Sequence, residues 1–169
     1  MMRFLASLAS VVRSWSCWSN RAAEVLLFVI GFSMAMLTGI QVASRYLLNH
    51  SIFWSEEVGR ICLVWISFLG ASAAYKRHAH IGVDFLVVRL PARVRRSLKL
   101  FVIFASLVFF LVLMVYGVAF ARFVSAQKTA ALGLSMALPY MVIPLSGGLF
   151  FLHGLSHLFD LLGFDAGDQ

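Results

Sequence analysis

Long runs without a charged side chain dominate this sequence. Residues 25–44 form a run of 20, closed by Glu24 and Arg45. Residues 61–75 form a run of 15 between Arg60 and Lys76, and residues 100–121 a run of 22 between Lys99 and Arg122. The fourth covers residues 129–159, 31 positions. A helix needs about 20 apolar residues to cross the hydrocarbon core of a bilayer, so the first and third runs suffice as they stand. The second reaches that length if it starts near Trp54 and holds Glu56, Glu57 and Arg60 at headgroup depth. The fourth is too long for one simple span. Its polar, Gly-containing opening suggests a loop, with the span starting near Leu138; Pro139 then falls in the first turn, where its missing N–H costs nothing. Pro144 lies inside and is expected to kink the helix. The pattern predicts four spans, near residues 23–47, 54–75, 98–121 and 138–160.

Before the first span the periodicity changes. At 100° per residue, Phe4, Leu5, Leu8, Val11, Val12 and Trp15 share one side of a helix, opposite Arg3, Ser7, Ser10, Arg13 and Ser14. That predicts an interfacial amphipathic helix over residues 1–21, with Trp15 and Trp18 at headgroup level. The apolar run is at the short end for a cleavable signal peptide. Between the second and third spans, Ile81, Phe85, Leu86 and Val88 precede Leu90-Pro91 and then Arg93, Arg95, Arg96 and Lys99, which predicts a short interfacial segment. The expected fold is an all-α membrane protein: one membrane domain, 1–169, of four transmembrane helices with these two interfacial elements and a tail at 161–169.

Composition agrees. Of 169 residues, 62% are hydrophobic and 12% charged, and mean hydropathy is +0.92. Such a chain cannot cover a water-facing surface with polar groups. Its cations are unevenly placed. Ten Lys and Arg flank the N-terminal segment and the second connection; four (Arg45, Arg60, Arg122 and Lys128) flank the first and third connections. The positive-inside rule then puts both termini in the cytoplasm. Arg89, Arg93, Arg95, Arg96 and Lys99 form a cytoplasmic basic surface for anionic lipid or for a docked protein. Nothing favours nucleic acid, since the basic residues hug a membrane helix.

Candidate chemistry is sparse. The densest polar cluster is Arg45, Trp54, Glu56, Glu57 and Arg60, where either carboxylate can reach Arg60 along a helix. Structural or partner-facing pairing, docking of an external protein, and an ion pathway are all open readings of it. On the pairing reading, Arg60→Ala is expected to be more harmful than Lys76→Ala or Arg77→Ala. His153 and His157 are four apart on one helix face, a spacing that suits polar packing and cannot supply both axial ligands of one haem. Gly70, Gly147 and Gly148, with Gly31 and Gly39, offer small faces for close helix approach. Cys17 and Cys62 form no metal or redox motif, and there is no P-loop, dinucleotide fingerprint or nucleophile motif. No enzyme and no resident cofactor are expected.

Arg45, Trp54-Ser-Glu-Glu-Val-Gly-Arg60, Trp65, Phe68-Leu-Gly-Ala and His80-Ile-Gly-Val-Asp84 resemble the small permease subunit of tripartite ATP-independent periplasmic (TRAP) transporters. Leu90-Pro91, Thr129-Ala-Ala-Leu-Gly-Leu and Tyr140-Met-Val-Ile-Pro144 follow in that family's order, and the resemblance spans about residues 23–162. It implies a multi-pass subunit of a bacterial or archaeal inner membrane. Its partners would be a large multi-span permease and a periplasmic substrate-binding protein. Such a subunit is a scaffold in a sodium-coupled secondary transporter importing an organic acid; it stabilises the large permease and helps receive the binding protein. Substrate and sodium would bind the large subunit. The alternatives are a membrane anchor subunit of a redox complex, which needs histidines from different helices at one depth, and a small exporter of about four spans.

Overall fold

The computed structural model describes residues 2–50, 52–77 and 91–163. Five α-helices follow in order: α1 Met2–Leu47, α2 Ser55–Lys76, α3 Ala92–Phe123, α4 Ala137–Tyr140 and α5 Val142–Leu161. A 3₁₀ turn, Val124–Ala126, ends α3. Four of these segments, with α4 and α5 forming the last, are long and apolar enough to cross a membrane. Residues 45–50, 52–60 and 122–141 make up the upper end of the bundle, and residues 13–24, 72–77 and 153–161 the lower end.

α1 differs from the two-part reading of its sequence. It runs through residues 21–23 without a break, 46 residues in all, or about 69 Å at 1.5 Å per residue. The stretch Ser-Asn-Arg-Ala-Ala-Glu contains neither Gly nor Pro. Asn20, the natural cap for a second helix, instead donates from Nδ2 to Glu24 Oε1 at 2.8 Å, one turn on. With the cap engaged inside the helix, nothing stops propagation. α1 does stop at Asn49, whose φ of 49° is the left-handed value that ends many helices. Ser44 Oγ donates to His50 O at 2.8 Å and ties the turn down.

α3 also begins earlier than its charge-free run. Pro91 is its extended N-cap, and the basic residues that mark where hydrocarbon ends are themselves good helix formers. In the last span the proline effect is visible. Pro144 has no N–H for the Tyr140 carbonyl, and the helix is interrupted at Met141 between α4 and α5. The predicted interfacial segment, Arg89, His78 and His80 lie outside the described residues, as do the side chain of Arg93 and the tail beyond residue 163.

α5 is the central helix, packed against α1, α2 and α3. Its buried positions are mostly small or polar: Ser146, Gly147, His153, Gly154, Ser156 and His157, with Val142. The apolar bulk faces outward, with Phe28, Phe104 and Tyr116 each about 70% exposed (73%, 69% and 69%). That inside-out distribution suits a chain whose solvent is lipid.

α3 and α5 approach very closely along an antiparallel seam. A Cβ on Gly117 would lie 3.0 Å from Pro144 N, one on Gly147 3.0 Å from Met114 N, and one on Gly154 3.0 Å from Leu107 Cδ2. Phe110 and Phe150 stack in the same seam at 4.7 Å. Of the glycines singled out in the sequence, Gly147 belongs to this contact. Gly70 and Gly148 meet only single side-chain atoms, at 3.9 and 4.0 Å, and Gly31 and Gly39 meet nothing within 4 Å. Gly147→Leu should therefore wedge α3 from α5, at a cost of about 1–3 kcal/mol or more. Gly148→Leu should cost the isolated subunit little. Melting of the two purified variants in detergent separates the cases; equal melting temperatures would contradict the seam.

Candidate functional site

Polar residues gather at both ends of the bundle, and the two ends are organised differently. At the lower end three helices are joined by a buried chain of hydrogen bonds. The Lys76 ammonium on α2 donates to Ser16 Oγ on α1. Ser16 Oγ lies 2.8 Å from His153 Nδ1 on α5. The serine oxygen, with one hydrogen and two lone pairs, can bond both partners at once. Ser16 and His153 are completely buried.

Two ion pairs brace this chain from outside. Arg13 pairs with Asp160 at 2.5 Å, joining α1 to α5, and Arg77 just after α2 pairs with Glu24 of α1 at 2.6 Å. His157 packs against Tyr75, with Nε2 3.3 Å from the Tyr75 carbonyl and the rings 5.5 Å apart. The two histidines thus serve helix packing, as their spacing suggested. Sequence reasoning missed Ser16, Lys76, Glu24 and Asp160 as their company. The available signal was Gly147 and Gly154 seven apart, one residue after Ser146 and His153: a buried small-and-polar stripe. Among the described residues, no group of three or more His, Cys, Asp or Glu could hold a metal ion.

At the upper end the expected cluster is only partly assembled. Trp54 is the N-cap of α2, 38% exposed. Glu56, Arg60 and Arg45 are exposed, and among the described residues Arg60 forms no ion pair with either glutamate, nor does Arg45 close the group. Close pairing within the cluster, one of the readings its spacing left open, is thus not what the described residues show. Glu57 instead reaches across to the loop after α3, where its Oε2 accepts the Ala131 N–H at 2.7 Å. A fixed backbone donor in a half-buried position outcompetes an exposed guanidinium, since surface ion pairs gain little over hydration.

The loop that Glu57 holds is compact. Lys128 and Ser135 form an antiparallel bridge. Thr129 N–H donates to Leu134 O at 2.8 Å, and Leu134 N–H returns to Thr129 Oγ1 at 3.0 Å. Gly133 takes φ 64°, a turn position that suits a residue without Cβ. The lower basic surface is described in part: Arg95 is half-buried, and Arg96 and Lys99 are exposed.

The sequence of this four-span bundle matches a family model over residues 34–163. Its description is "Tripartite ATP-independent periplasmic transporters, DctQ component". The chain belongs to this family. It is similar to the C4-dicarboxylate TRAP transporter small permease protein of Vibrio cholerae serotype O1, 38% identical over 105 residues, covering 58% of this chain and 45% of the relative. It is also similar to the sialic acid TRAP transporter small permease protein of the same organism, 27% identical over 143 residues, 85% of this chain and 83% of the relative. The first match thus spans less than half of that relative's length. A third relative is much longer: the isethionate TRAP transporter permease protein of Oleidesulfovibrio alaskensis, 32% identical over 98 residues, 57% of this chain but 15% of the relative.

The small permease described here is therefore a multi-pass inner-membrane transporter component and not an enzyme. A small-permease sequence carried within a longer permease supports a large permease as its partner. The redox-anchor alternative is not favoured, and His153, bonded to Ser16 inside the bundle, gives it no help.

Proposed function

We propose that the chain is the scaffold subunit of a sodium-coupled secondary transporter that imports an organic acid delivered by a periplasmic binding protein. The observation that carries this reading is the use of the buried polar groups. Ser16, Lys76, His153 and His157 join α1, α2 and α5 to one another. A rigid body of this kind suits bracing of a larger moving subunit, while substrate and sodium bind that partner. Relatives named for C4-dicarboxylates and for sialic acid, both carboxylates, support an organic acid as cargo.

In this reading both termini are cytoplasmic, because ten of the fourteen Lys and Arg belong in sequence to the N-terminal segment and the second connection. The upper end then faces the periplasm and helps receive the binding protein. A C-terminal green fluorescent protein fusion should fluoresce, and an alkaline phosphatase fusion at the same place should be inactive; the reverse pair of results contradicts the orientation. Co-expression with the cognate large permease should give one complex through affinity and size-exclusion steps in mild detergent. Quantitative recovery of the two chains in separate peaks would contradict the scaffold.

A further inference from the structure

An open groove of about 560 Å³ runs along the outer face of α1, across the start of its charge-free run at Val25. Trp18, Ala22 and Leu26 make one row of side chains four apart, and Arg21, Val25 and Val29 make the next. Such rows on a helix leave a groove between them, and Ala22, the smallest of the six, widens it in the middle. The face is turned away from the bundle: Trp18 is 69% exposed and Val25 61%, and Arg21 and Ala22 are exposed as well. Trp15 meets Trp18 edge to face, with ring centroids 6.3 Å apart. Five of the lining residues are apolar, and the one cation stands at the lower end.

That cation is available to a ligand. Glu24, three residues on, is the acid within reach along the helix, but its Oε1 accepts from Arg77 Nη2 at 2.6 Å and from Asn20 Nδ2 at 2.8 Å. Arg21 is in no ion pair among the described residues. Two guanidiniums against one carboxylate leave a net positive charge beside the groove. From Arg21 to Val29 the groove runs about 12 Å along the axis, most of the ~15 Å of hydrocarbon in one leaflet. A phosphate at headgroup depth beside an indole, with an acyl chain beneath it, has the matching charge and length. We infer that this groove is a binding site for one anionic phospholipid, with its phosphate on Arg21 and an acyl chain along Ala22, Val25 and Val29. The site lies on the opposite side of α1 from buried Ser16 and Ala23, and it depends neither on the scaffold reading nor on the orientation of the chain.

The test titrates the purified full chain in mild detergent with dioleoyl phosphatidylglycerol or dioleoyl phosphatidylcholine and follows binding by native mass spectrometry. The first phosphatidylglycerol should bind about fivefold more tightly than the first phosphatidylcholine, the scale of one cation facing anionic lipid. R21Q should abolish that preference. A22F fills the groove and leaves every charge in place; it should weaken the first step for both lipids about tenfold, the equivalent of two buried methylenes. Both positions are exposed, so the variants should melt with the wild type. R96Q, at another exposed cation, should leave the first step unchanged. The site needs both the cation and the groove, so wild-type binding by either R21Q or A22F overturns it. A loss from R96Q equal to that from R21Q also overturns it, by making the attraction one of diffuse surface charge. So does an A22F chain that no longer copurifies with the large permease, which would give the groove to a partner helix.

Discussion

Truncating His153 to Ala should lower the stability of the purified subunit by about 3 kcal/mol. The side chain is completely buried, so its removal leaves a cavity at the meeting point of α1, α2 and α5, a defect worth about 2–5 kcal/mol for large core side chains. It also takes away the Ser16 hydroxyl's hydrogen-bond partner on α5, adding the cost of a buried polar group left short of a partner, about 1–3 kcal/mol before relaxation. Relaxation of the cavity keeps the total below the sum. For a chain of this size the loss corresponds to a fall in melting temperature of about 6–12 °C. Lys76→Ala should follow in the same direction, because Lys76 donates to the same serine. Arg60→Ala should be nearly silent in this assay, since Arg60 is exposed and outside any ion pair among the described residues. That ranking reverses the one that residue spacing alone suggests. Thermal melts of the three variants in one detergent decide it, and a His153→Ala protein melting with the wild type would show that the buried chain does not hold the helices together.

The four apolar helices were legible because charge-free runs report directly on hydrocarbon thickness. The expected span at 54–75 overlies Ser55–Lys76 almost residue for residue, since Glu56 and Lys76 bracket it closely. The run that begins at Leu100 gave a poorer boundary for Ala92–Phe123: Arg95, Arg96 and Lys99 end the membrane, not the helix. Residues 19–24 show a related effect. A change in hydrophobic periodicity marks a change of surroundings, and a backbone without Gly or Pro can pass through it as one helix.

The polar contacts were harder to read, because they depend on which helices become neighbours. Ser16 and His153 are 137 positions apart, and no local pattern pairs them. Glu57 was read against its own helix, where Arg60 is the near partner, while the stronger donor arrives on a loop 74 residues away. Gly117 passed unnoticed for the same reason, since its closeness to Pro144 exists only once α3 and α5 are antiparallel. Gly147 could be found because it sits in a Gly-Gly pair on a helix with many small residues.

The account's central claim is that this chain is necessary for transport and insufficient for it. In the structure, Ser16, Lys76 and His153 join α1, α2 and α5 of this chain to one another, which suits a brace, and the sodium-coupled carboxylate site is assigned to the large permease. Loss of the chain should therefore leave the large permease without its brace and reduce uptake at least about tenfold, the scale of a coupling energy of roughly 1.4 kcal/mol. The direct measurement is sodium-driven uptake of the binding protein's bound substrate into proteoliposomes holding the complete complex, the large permease alone or this chain alone. Uptake by the complete complex only is the predicted result. Full activity of the large permease by itself, or any uptake by this chain by itself, would contradict the scaffold.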